Sequence, residues 1–355
     1  MSLLILSLLQ QIQLNCIQKI KGGENMPLTI KDSVIVTGSK LVKNDYYIDY
    51  YKKKGQDIEH FLVDVLGRNE RYHCNRTYEN TLTLAANATD KLLEKNNIKG
   101  SDIDLIVCCS QYPEFTMPTQ ACILHNHIHG KEKCVTFDLN VNCLGMLRGL
   151  NIINRYFNDK NGEIHTALLI GSDFMSIHTT DDDIVTFTSF ADGACAMLLQ
   201  YTDDINKGVI GCSDRTLSKE AYGCLFPECG MSNIADYIGN YVKTSWTNPY
   251  IPPVIDSMKE SLDEVLTKHN ITVDDIDWYC GSQFSLSFFE GIRNACTIPK
   301  EKGIYIGNKY GYTGTSSPFF AYTQGCIDGK IKEGDLIFFT TVGVGHTICS
   351  MLLRV

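Results

Sequence analysis

Residues 95–111 read KNNIKGSDIDLIVCCSQ, and residues 268–283 read KHNITVDDIDWYCGSQ. The two stretches align with a single one-residue gap. A second pair follows in the same order, with FTSFADGACAMLL at residues 187–199 and FTTVGVGHTICSMLL at residues 339–353. The members of each pair lie about 150 to 170 residues apart, and two such pairs in one order indicate a duplicated fold.

The sequence pattern predicts the same local structure in each half of the duplication. Residues 79–93 and 254–266 have the apolar spacing of a helix, and each is followed by an aspartate-rich turn and an apolar strand. The continuous apolar runs at residues 166–170 and 336–340 are typical of strands covered on both faces. The sequence therefore predicts an α/β fold, a duplicated αβαβα five-layer sandwich.

The domain organisation follows from where these patterns begin and end. We predict an N-terminal appendage at residues 1–29, a first half at residues 30–207 and a second half at residues 208–355. The stretch 208–253 lacks clean periodicity and is rich in Gly, Asn, Tyr and Cys. Such a stretch often forms the lid or entrance of a pocket.

Composition excludes several classes of function. The 32 basic and 41 acidic residues give a formal charge of -9 without a Lys/Arg-rich run, so nucleic acid is not an expected partner. The 15 cysteines are an odd number in a long chain, which favours reduced thiols and a cytoplasmic location. The apolar N-terminus is too short to span a bilayer. The alternating His125, His127 and His129 favour a helix surface and turn over a metal site.

Cys143 is the strongest candidate for a reactive residue. A predicted strand ends near residues 137–139, and residues 144–157 have apolar helical spacing, so Cys143 lies at or near a helix N-terminus. The unpaired N–H groups there favour thiolate over thiol. The sequence therefore predicts a nucleophile that accepts an acyl group from a thioester. The alternative is a small buried core residue.

Several motifs together resemble ketoacyl-ACP synthase III of the thiolase superfamily. They are FDLNVNCLGM at residues 137–146, VTFTSFADGACA at 185–196 and NKYGYTGTSS at 308–317, supported by FLVDVLGRNER at 61–71 and the C-terminal residues 342–355. The resemblance covers nearly the whole chain from about residue 30. It implies a thiolase-like fold with Cys143 as the acyl-accepting nucleophile.

The resemblance also exposes two substitutions. The family's catalytic His is matched by Ser282, and its catalytic Asn by Tyr312. Those two side chains donate hydrogen bonds to the malonyl thioester carbonyl during decarboxylation, and a serine and a tyrosine do not reproduce an imidazole. The backbone donors of the oxyanion hole are unaffected by such changes. The resemblance assigns them to Cys143 and Val344, in the Gly343–Gly345 loop.

Other family positions concern the donor substrate. Phe61 matches the residue that stacks on adenine, whereas the arginines that grip the CoA nucleotide are matched by Val65, Ile184 and Ser287. We therefore expect weak recognition of the nucleotide.

Three further residues are candidates for the substrate pocket: Gln111, Glu114 and Met117, the last of which is expected to line the partner subunit's pocket. His346 follows the glycine loop and is a candidate substitute for the missing imidazole. For Glu114 and His346 a structural role is the alternative.

Two functions remain open from the sequence. The first is an acyltransferase that takes an acyl group from an acyl carrier protein or CoA thioester and passes it to a nucleophile, in fatty-acid-like or specialised metabolite synthesis. The second is a catalytically altered subunit of a heterodimeric ketosynthase-like complex. The first is expected to be a homodimer, and neither requires a cofactor.

Overall fold

The computed structural model describes residues 28–159, 162–237, 244–246 and 253–355. Strand β1 begins at Leu28, so residues 28 and 29 belong to the first sheet and not to the predicted appendage. Residues 1–27, the remainder of that appendage, lie outside the described residues.

The described residues form strands and helices in alternation, which are numbered in chain order. The strands are β1 (Leu28–Thr37), β2 (Lys40–Lys43), β3 (Glu70–His73), β4 (Leu105–Cys109), β5 (Val135–Leu139), β6 (Thr166–Phe174), β7 (Asp192–Tyr201), β8 (Gly208–Thr216), β9 (Cys224–Leu225), β10 (Ser245–Trp246), β11 (Trp278–Gly281), β12 (Leu336–Gly343) and β13 (Thr347–Arg354). The helices are α1 (Asn44–Lys53), α2 (Thr81–Asn96), α3 (Gln120–His127), α4 (Gly145–Phe157), α5 (Ile184–Ser189), α6 (Pro253–His269), α7 (Leu286–Ala295), α8 (Gly307–Tyr310) and α9 (Ser317–Ile327).

The two large sheets have matching topologies. The first has the order β1-β7-β6-β4-β5, and the second, written in the same direction, has the order β8-β13-β12-β11. Strand β4 is parallel to β6, just as β11 is parallel to β12, and the remaining shared neighbours are antiparallel. The fifth strand of the first sheet corresponds to a single parallel bridge between Tyr279 and Gly303. The repeat seen in the sequence is therefore a repeat of topology.

The core has five layers. Helices α4 and α9 lie between the two sheets, and one apolar cluster joins both helices to both sheets. Helices α2 and α3 cover the outer face of the first sheet, and helices α6 and α7 cover the outer face of the second. The predicted αβαβα sandwich is confirmed.

Helix α2 shows how local sequence supports this arrangement. Asn80 caps its N-terminus by accepting a hydrogen bond from the Thr83 amide, and the Thr83 hydroxyl accepts one from the Asn80 amide. Leu84, Ala88 and Leu92 recur at helical spacing and are buried against the first sheet. The helix thus begins where its cap lies and packs through one apolar face.

Three other features concern the described part of the chain. Its cysteines are all free thiols. None of its helices has the length and apolar character needed to cross a membrane. No group of three or more His, Cys, Asp or Glu residues in it is arranged to hold a metal ion.

The central layer generates a prediction about stability. Phe339 on β12 is fully buried, and its ring stacks on that of Phe319 from α9 at a centroid distance of 5.1 Å. We expect Phe339→Ala to lower the free energy of unfolding by about 3–5 kcal/mol, because it removes apolar contacts and leaves a cavity. Chemical denaturation followed by circular dichroism would measure the loss.

The matched control is Ile327→Ala at the end of α9, where the side chain is 64% exposed. That variant is expected to unfold within about 0.5 kcal/mol of the wild type. Equal losses in both variants would contradict the assignment of Phe339 to the central layer.

Candidate active site

A cavity of about 450 Å³ contains the candidate nucleophile. Its lining comes from both halves of the chain. The described lining residues are Phe61, Val65, Leu66, Gln111, Tyr112, Cys143, Met175, Val185, Phe190, Gly223, Cys224, Thr244, Val254, Ile255, Ser282, Phe284, Ser285, Ser287, Phe288, Gly291, Tyr312, Val342, Gly343, Val344, Gly345 and His346. None of these is Lys, Arg, Asp or Glu, so the described lining is largely apolar.

Cys143 lies where the sequence predicts it, at the start of a helix. It is in a short turn, Asn142–Leu144, and α4 begins two residues later at Gly145. A Cβ added at Gly145 would lie 2.7 Å from Thr315 Oγ1, and Thr315 Oγ1 accepts a hydrogen bond from the Met146 amide at 2.9 Å. The small residue therefore lets the start of α4 pack closely against the loop that precedes α9.

Tyr312 packs in one buried cluster with Cys143, and Ser282 lines the same cavity. Burial raises the pKa values of the Cys143 thiol and the Tyr312 phenol, whereas hydrogen bonding with Tyr312 acts to lower the first and hydrogen bonding with Ser282 acts to lower the second. The Cys143 thiol donates a hydrogen bond to Gln111 Oε1, with 3.7 Å between the sulfur and the oxygen. Ser282 and Tyr312, which match the family's His and Asn, therefore both lie at the Cys143 site. Their hydroxyl groups differ chemically from an imidazole and an amide.

The backbone around Gln111 is held by a buried carboxyl group. Asp173, at the end of β6, accepts hydrogen bonds from the Ser110 hydroxyl and the Gln111 amide, both at 2.9 Å, and from the Tyr112 and Thr315 amides at 3.2 Å. Burial raises the pKa of Asp173 to about 7. The sequence analysis missed this residue because an aspartate after an apolar run has no distinctive signal. Only the tertiary structure shows that Asp173 binds the backbone of Gln111, whose side chain contacts Cys143.

The expectation of a thiolate at rest is wrong. Burial raises the pKa of Cys143 to about 12, and the hydrogen bond from Tyr312 lowers that pKa only in part. The desolvation of a buried thiolate thus outweighs the stabilisation that a helix terminus gives. At neutral pH the Cys143 thiol is therefore protonated.

The glycine loop closes the cavity opposite Cys143. A Cβ at Gly343 would lie 2.7 Å from the Val141 carbonyl oxygen, so only glycine allows this close approach. The Val344 carbonyl accepts a hydrogen bond from Asn142 Nδ2 at 3.5 Å. His346 lines the cavity in a left-handed conformation (φ 56°), and its carbonyl accepts the Leu217 amide at 3.0 Å. Val344 thus contacts the residue before the candidate nucleophile, and His346 lines the same cavity as Cys143.

The positions expected to bind the donor divide into two groups. Phe61, Val65 and Ser287 line the cavity. Ile184 instead packs against an aromatic cluster with Tyr47 at its centre.

Glu114 and Met117 lie outside the Cys143 cavity of their own chain. Glu114 is exposed and borders a separate, more polar cavity of about 490 Å³ with Arg76 and Glu79. The Met117 side chain is 88% exposed. Glu114 does not line the Cys143 cavity of its own chain. Its place at the substrate pocket and the insertion of Met117 into a partner subunit both stay predictions.

The segment expected to form a lid contributes residues that the sequence analysis did not single out. Cys224 and Thr244 line the cavity, and Thr244 Oγ1 lies 2.9 Å from the Tyr112 hydroxyl. Residues 238–243 and 247–252 of this segment lie outside the described residues.

Comparisons with known proteins agree with this geometry. Residues 137–216 match the family described as 3-oxoacyl-[acyl-carrier-protein] synthase III, and residues 266–355 match the C-terminal region of the same family. The β-ketoacyl-[acyl-carrier-protein] synthase III of Rickettsia bellii is 29% identical over 315 residues, covering 89% of this chain and 95% of the relative. That of Ehrlichia chaffeensis is 26% identical, covering 92% and 99%.

A solved structure shows the same fold. The 3-oxoacyl-[acyl-carrier-protein] synthase III of Aquifex aeolicus superposes with a TM-score of 0.81 at 22% identity, covering 92% of this chain and all of that chain. The duplicated five-layer fold, with a buried cysteine before a central helix, is a thiolase-like α/β fold. Within it, the chain is a ketoacyl-ACP synthase III-like protein.

The pKa of Cys143 generates a second prediction. We expect the rate of Cys143 alkylation by iodoacetamide to rise about tenfold per pH unit between about pH 7 and 10, because the thiol remains below its pKa of about 12 throughout. Tyr312→Phe should lower that rate, since it removes the hydrogen bond that stabilises the thiolate. Peptide mass mapping would assign the labelled cysteine.

Cys143→Ala is the control that identifies the labelled cysteine. The denatured chain gives the alkylation rate of a thiol that is not buried. A native rate that levels off above about pH 9, as it does for a free cysteine with a pKa of about 8.5, would rule out the raised pKa.

Proposed function

We propose that this protein is an acyltransferase in which Cys143 carries the acyl group. The observation that supports the proposal most directly is the position of Cys143 just before a central helix, in an apolar cavity that Tyr312 and Ser282 also line. A cavity of this size and lining is typical of a small-molecule site. The similar proteins of Rickettsia bellii and Ehrlichia chaffeensis are named β-ketoacyl-[acyl-carrier-protein] synthase III, a name that refers to an acyl carrier protein and a ketoacyl product.

In the first step, the Cys143 Sγ attacks the carbonyl carbon of a donor thioester. The bond from that carbon to the donor sulfur breaks, and the proton of the Cys143 thiol leaves with the donor as a free thiol. The backbone amides of Cys143 and Val344 are the proposed donors to the oxyanion. Such backbone donors stabilise the charge that develops on the carbonyl oxygen.

In the second step, an acceptor nucleophile attacks the acyl group on Cys143. The acceptor keeps the acyl group and its proton returns to Sγ, which restores the starting thiol and gives a ping-pong course. The acceptor in this scheme is water, an amine, an alcohol or a carbon nucleophile, and release of carbon dioxide from malonyl-ACP tests the last of these.

The proposed donor is an acyl group carried by an acyl carrier protein, or another thioester whose binding does not depend on contacts to a nucleotide. Phosphate groups are recognised mainly by arginine and lysine. The described lining holds neither, and Val65 and Ser287 occupy positions where the family resemblance implies arginine. A largely apolar acyl chain fits the remaining surface.

The alternative function, a catalytically altered subunit of a heterodimer, is supported by a separate observation. Phe115 is 50% exposed and Met117 is 88% exposed on one loop, which leaves an apolar surface for another chain to cover. A second ketosynthase-like chain would then supply the missing catalytic groups.

Acylation of Cys143 is the primary test. We expect octanoyl-pantetheine and octanoyl-ACP to give a protein adduct of one acyl group by intact-protein mass spectrometry. Cys143→Ala should abolish it, whereas Cys224→Ala, which removes another cysteine that lines the cavity, should keep it. Octanoyl-CoA should react no more than about twofold faster than octanoyl-pantetheine, because the described residues that line the cavity include no Lys or Arg to bind the nucleotide phosphates.

Absence of an adduct with every donor would reject the acyltransferase and favour the subunit function. An adduct that persists in Cys143→Ala would reject Cys143 as the acyl carrier.

Decarboxylation is the test of the substituted positions. With octanoylated protein and carboxyl-labelled malonyl-ACP, we expect release of carbon dioxide at the background rate, because Ser282 and Tyr312 lack the imidazole and amide donors that the family resemblance implies. Trapping of labelled carbon dioxide measures the rate. His346→Ala is assayed in parallel, since His346 is the one imidazole among the described residues that line the cavity.

Rapid release that depends on Cys143 would show that condensation survives both substitutions. If His346→Ala then stopped it, His346 would be the substitute for the missing imidazole.

A further inference from the structure

Gln111 places a buried amide group against the sulfur of Cys143. The residue is 8% exposed, and its Oε1 accepts the hydrogen bond that the Cys143 thiol donates at 3.7 Å. Among the described residues, the thiol is the one group that donates a hydrogen bond to this oxygen. The carbonyl oxygen of the amide therefore depends on the thiol proton.

The amide is held beside the sulfur by its own contacts. The Gln111 backbone N–H donates to Asp173 Oδ1 at 2.9 Å, and its side-chain Nε2 donates to Met175 Sδ at 3.5 Å. A Cβ added at Gly314 would lie 2.6 Å from Gln111 Nε2 and 2.8 Å from Met175 Sδ. The loop before α9 thus packs closely on the amide, which has little space in which to move away from Cys143.

The two hydroxyl residues of the site are also fixed. Ser282 lies in a loop that the buried Arg68 holds, since Arg68 donates to the next two carbonyl oxygens of that loop. These belong to Gln283, at 2.7 Å, and Phe284, at 2.8 Å. The Tyr312 ring packs edge-on against the Phe284 ring, with 5.4 Å between the centroids. Both hydroxyl groups are therefore positioned by contacts that do not involve the amide.

Acylation removes the proton on which the amide depends. In the proposed first step a bond forms between Sγ and the acyl carbon, the bond from that carbon to the donor sulfur breaks, and the thiol proton leaves with the donor. Acylated Cys143 has no S–H group, so Gln111 Oε1 loses its donor. If the amide turned over, Oε1 would face Met175 Sδ, which is no donor either. Both orientations leave a buried acceptor unpaired, which is unfavourable.

We propose that the acyl group itself supplies the missing donor, through a hydroxyl group on its second or third carbon. These are the carbons nearest to the sulfur that can carry a hydroxyl group beside the thioester carbonyl. Oε1 lies 3.7 Å from Sγ, so an O–H···O bond of ordinary length can join it to such a hydroxyl. The rest of the chain fits the apolar lining.

Gln111 is then a specificity-determining residue, and the substrate class is a 2- or 3-hydroxyacyl thioester. A site built to bind a hydroxyl group discriminates against the analogue that lacks it, because its polar group is left unpaired. The inference rests on the proposed function, since it requires Cys143 to carry the acyl group.

The experiment is a competition between two acyl groups for Cys143. The wild type is incubated with equal amounts of octanoyl-pantetheine and one hydroxyoctanoyl-pantetheine, with free pantetheine present so that thioester exchange is reversible. Intact-protein mass spectrometry gives the ratio of the two adducts, which differ by one oxygen atom. We expect the 2- or the 3-hydroxyoctanoyl adduct to exceed the octanoyl adduct about tenfold, because only the hydroxyl pairs with Oε1.

One ligand and two variants serve as controls. 8-Hydroxyoctanoyl-pantetheine carries its hydroxyl at the far end of the chain, so its adduct should exceed the octanoyl adduct by no more than about twofold. Gln111→Met keeps the length of the side chain but removes the amide, and it should bring the ratio for the preferred ligand to within about twofold of one. Gln56→Met, which changes an exposed glutamine, should keep the wild-type ratio.

Three results would overturn the inference and leave the acyltransferase proposal standing. They are an octanoyl adduct as abundant as both the 2- and 3-hydroxyoctanoyl adducts, a preference that persists in Gln111→Met, and a preference that the 8-hydroxy ligand shares. No adduct with any donor would reject the proposed function and this inference together. Should Gln111→Met not fold, the wild-type comparison with the 8-hydroxy ligand decides, because these ligands differ only in the position of the hydroxyl group.

Discussion

The site depends on a close contact between the N-terminal ends of the two central helices. Helix α4 begins at Gly145, and the loop before α9 brings Thr315 against it, with the Thr315 hydroxyl accepting the Met146 amide. A side chain at Gly145 would force these ends apart. Because Cys143 precedes one helix and Tyr312 precedes the other, the same contact brings the thiol and the phenol together.

This contact is a consequence of the duplicated architecture. Two sheets of matching topology enclose one helix from each half, so the two helices are equivalent by position. The equivalent helix starts meet near the centre of the molecule, where strands β5 and β12 also end. Residues from both halves therefore form one cavity, and neither half contains a complete site.

Burial determines the chemistry of that cavity. It raises the pKa values of both Cys143 and Asp173, and it also encloses Arg68 without a carboxylate partner in the described part of the chain. The hydrogen bonds of Asp173 hold one side of the site, and those of Arg68 hold the other. In a protein interior these partly compensated charges interact more strongly than they would in water.

Sequence alone determined the architecture and the principal residue. The duplicated stretches and their continuous apolar runs predicted five layers, because a strand buried on both faces and an amphipathic helix leave a periodic pattern. The motif around residue 143 predicted a cysteine at a helix start, and the family resemblance identified Ser282 and Tyr312 as substitutions. These inferences depend on neighbours in the sequence or on motifs, which the sequence contains in full.

Only the tertiary structure decided how those residues interact. The protonated thiol, the placement of Ser282 and Tyr312 beside Cys143 and the exclusion of Glu114 from the cavity of its own chain depend on desolvation and on contacts between residues far apart in the sequence. Arg68 is the clearest case, since it lies more than 200 residues from Gln283 and Phe284, whose carbonyl groups it binds. No local pattern distinguishes a buried arginine from an exposed one, because burial is a property of the whole fold.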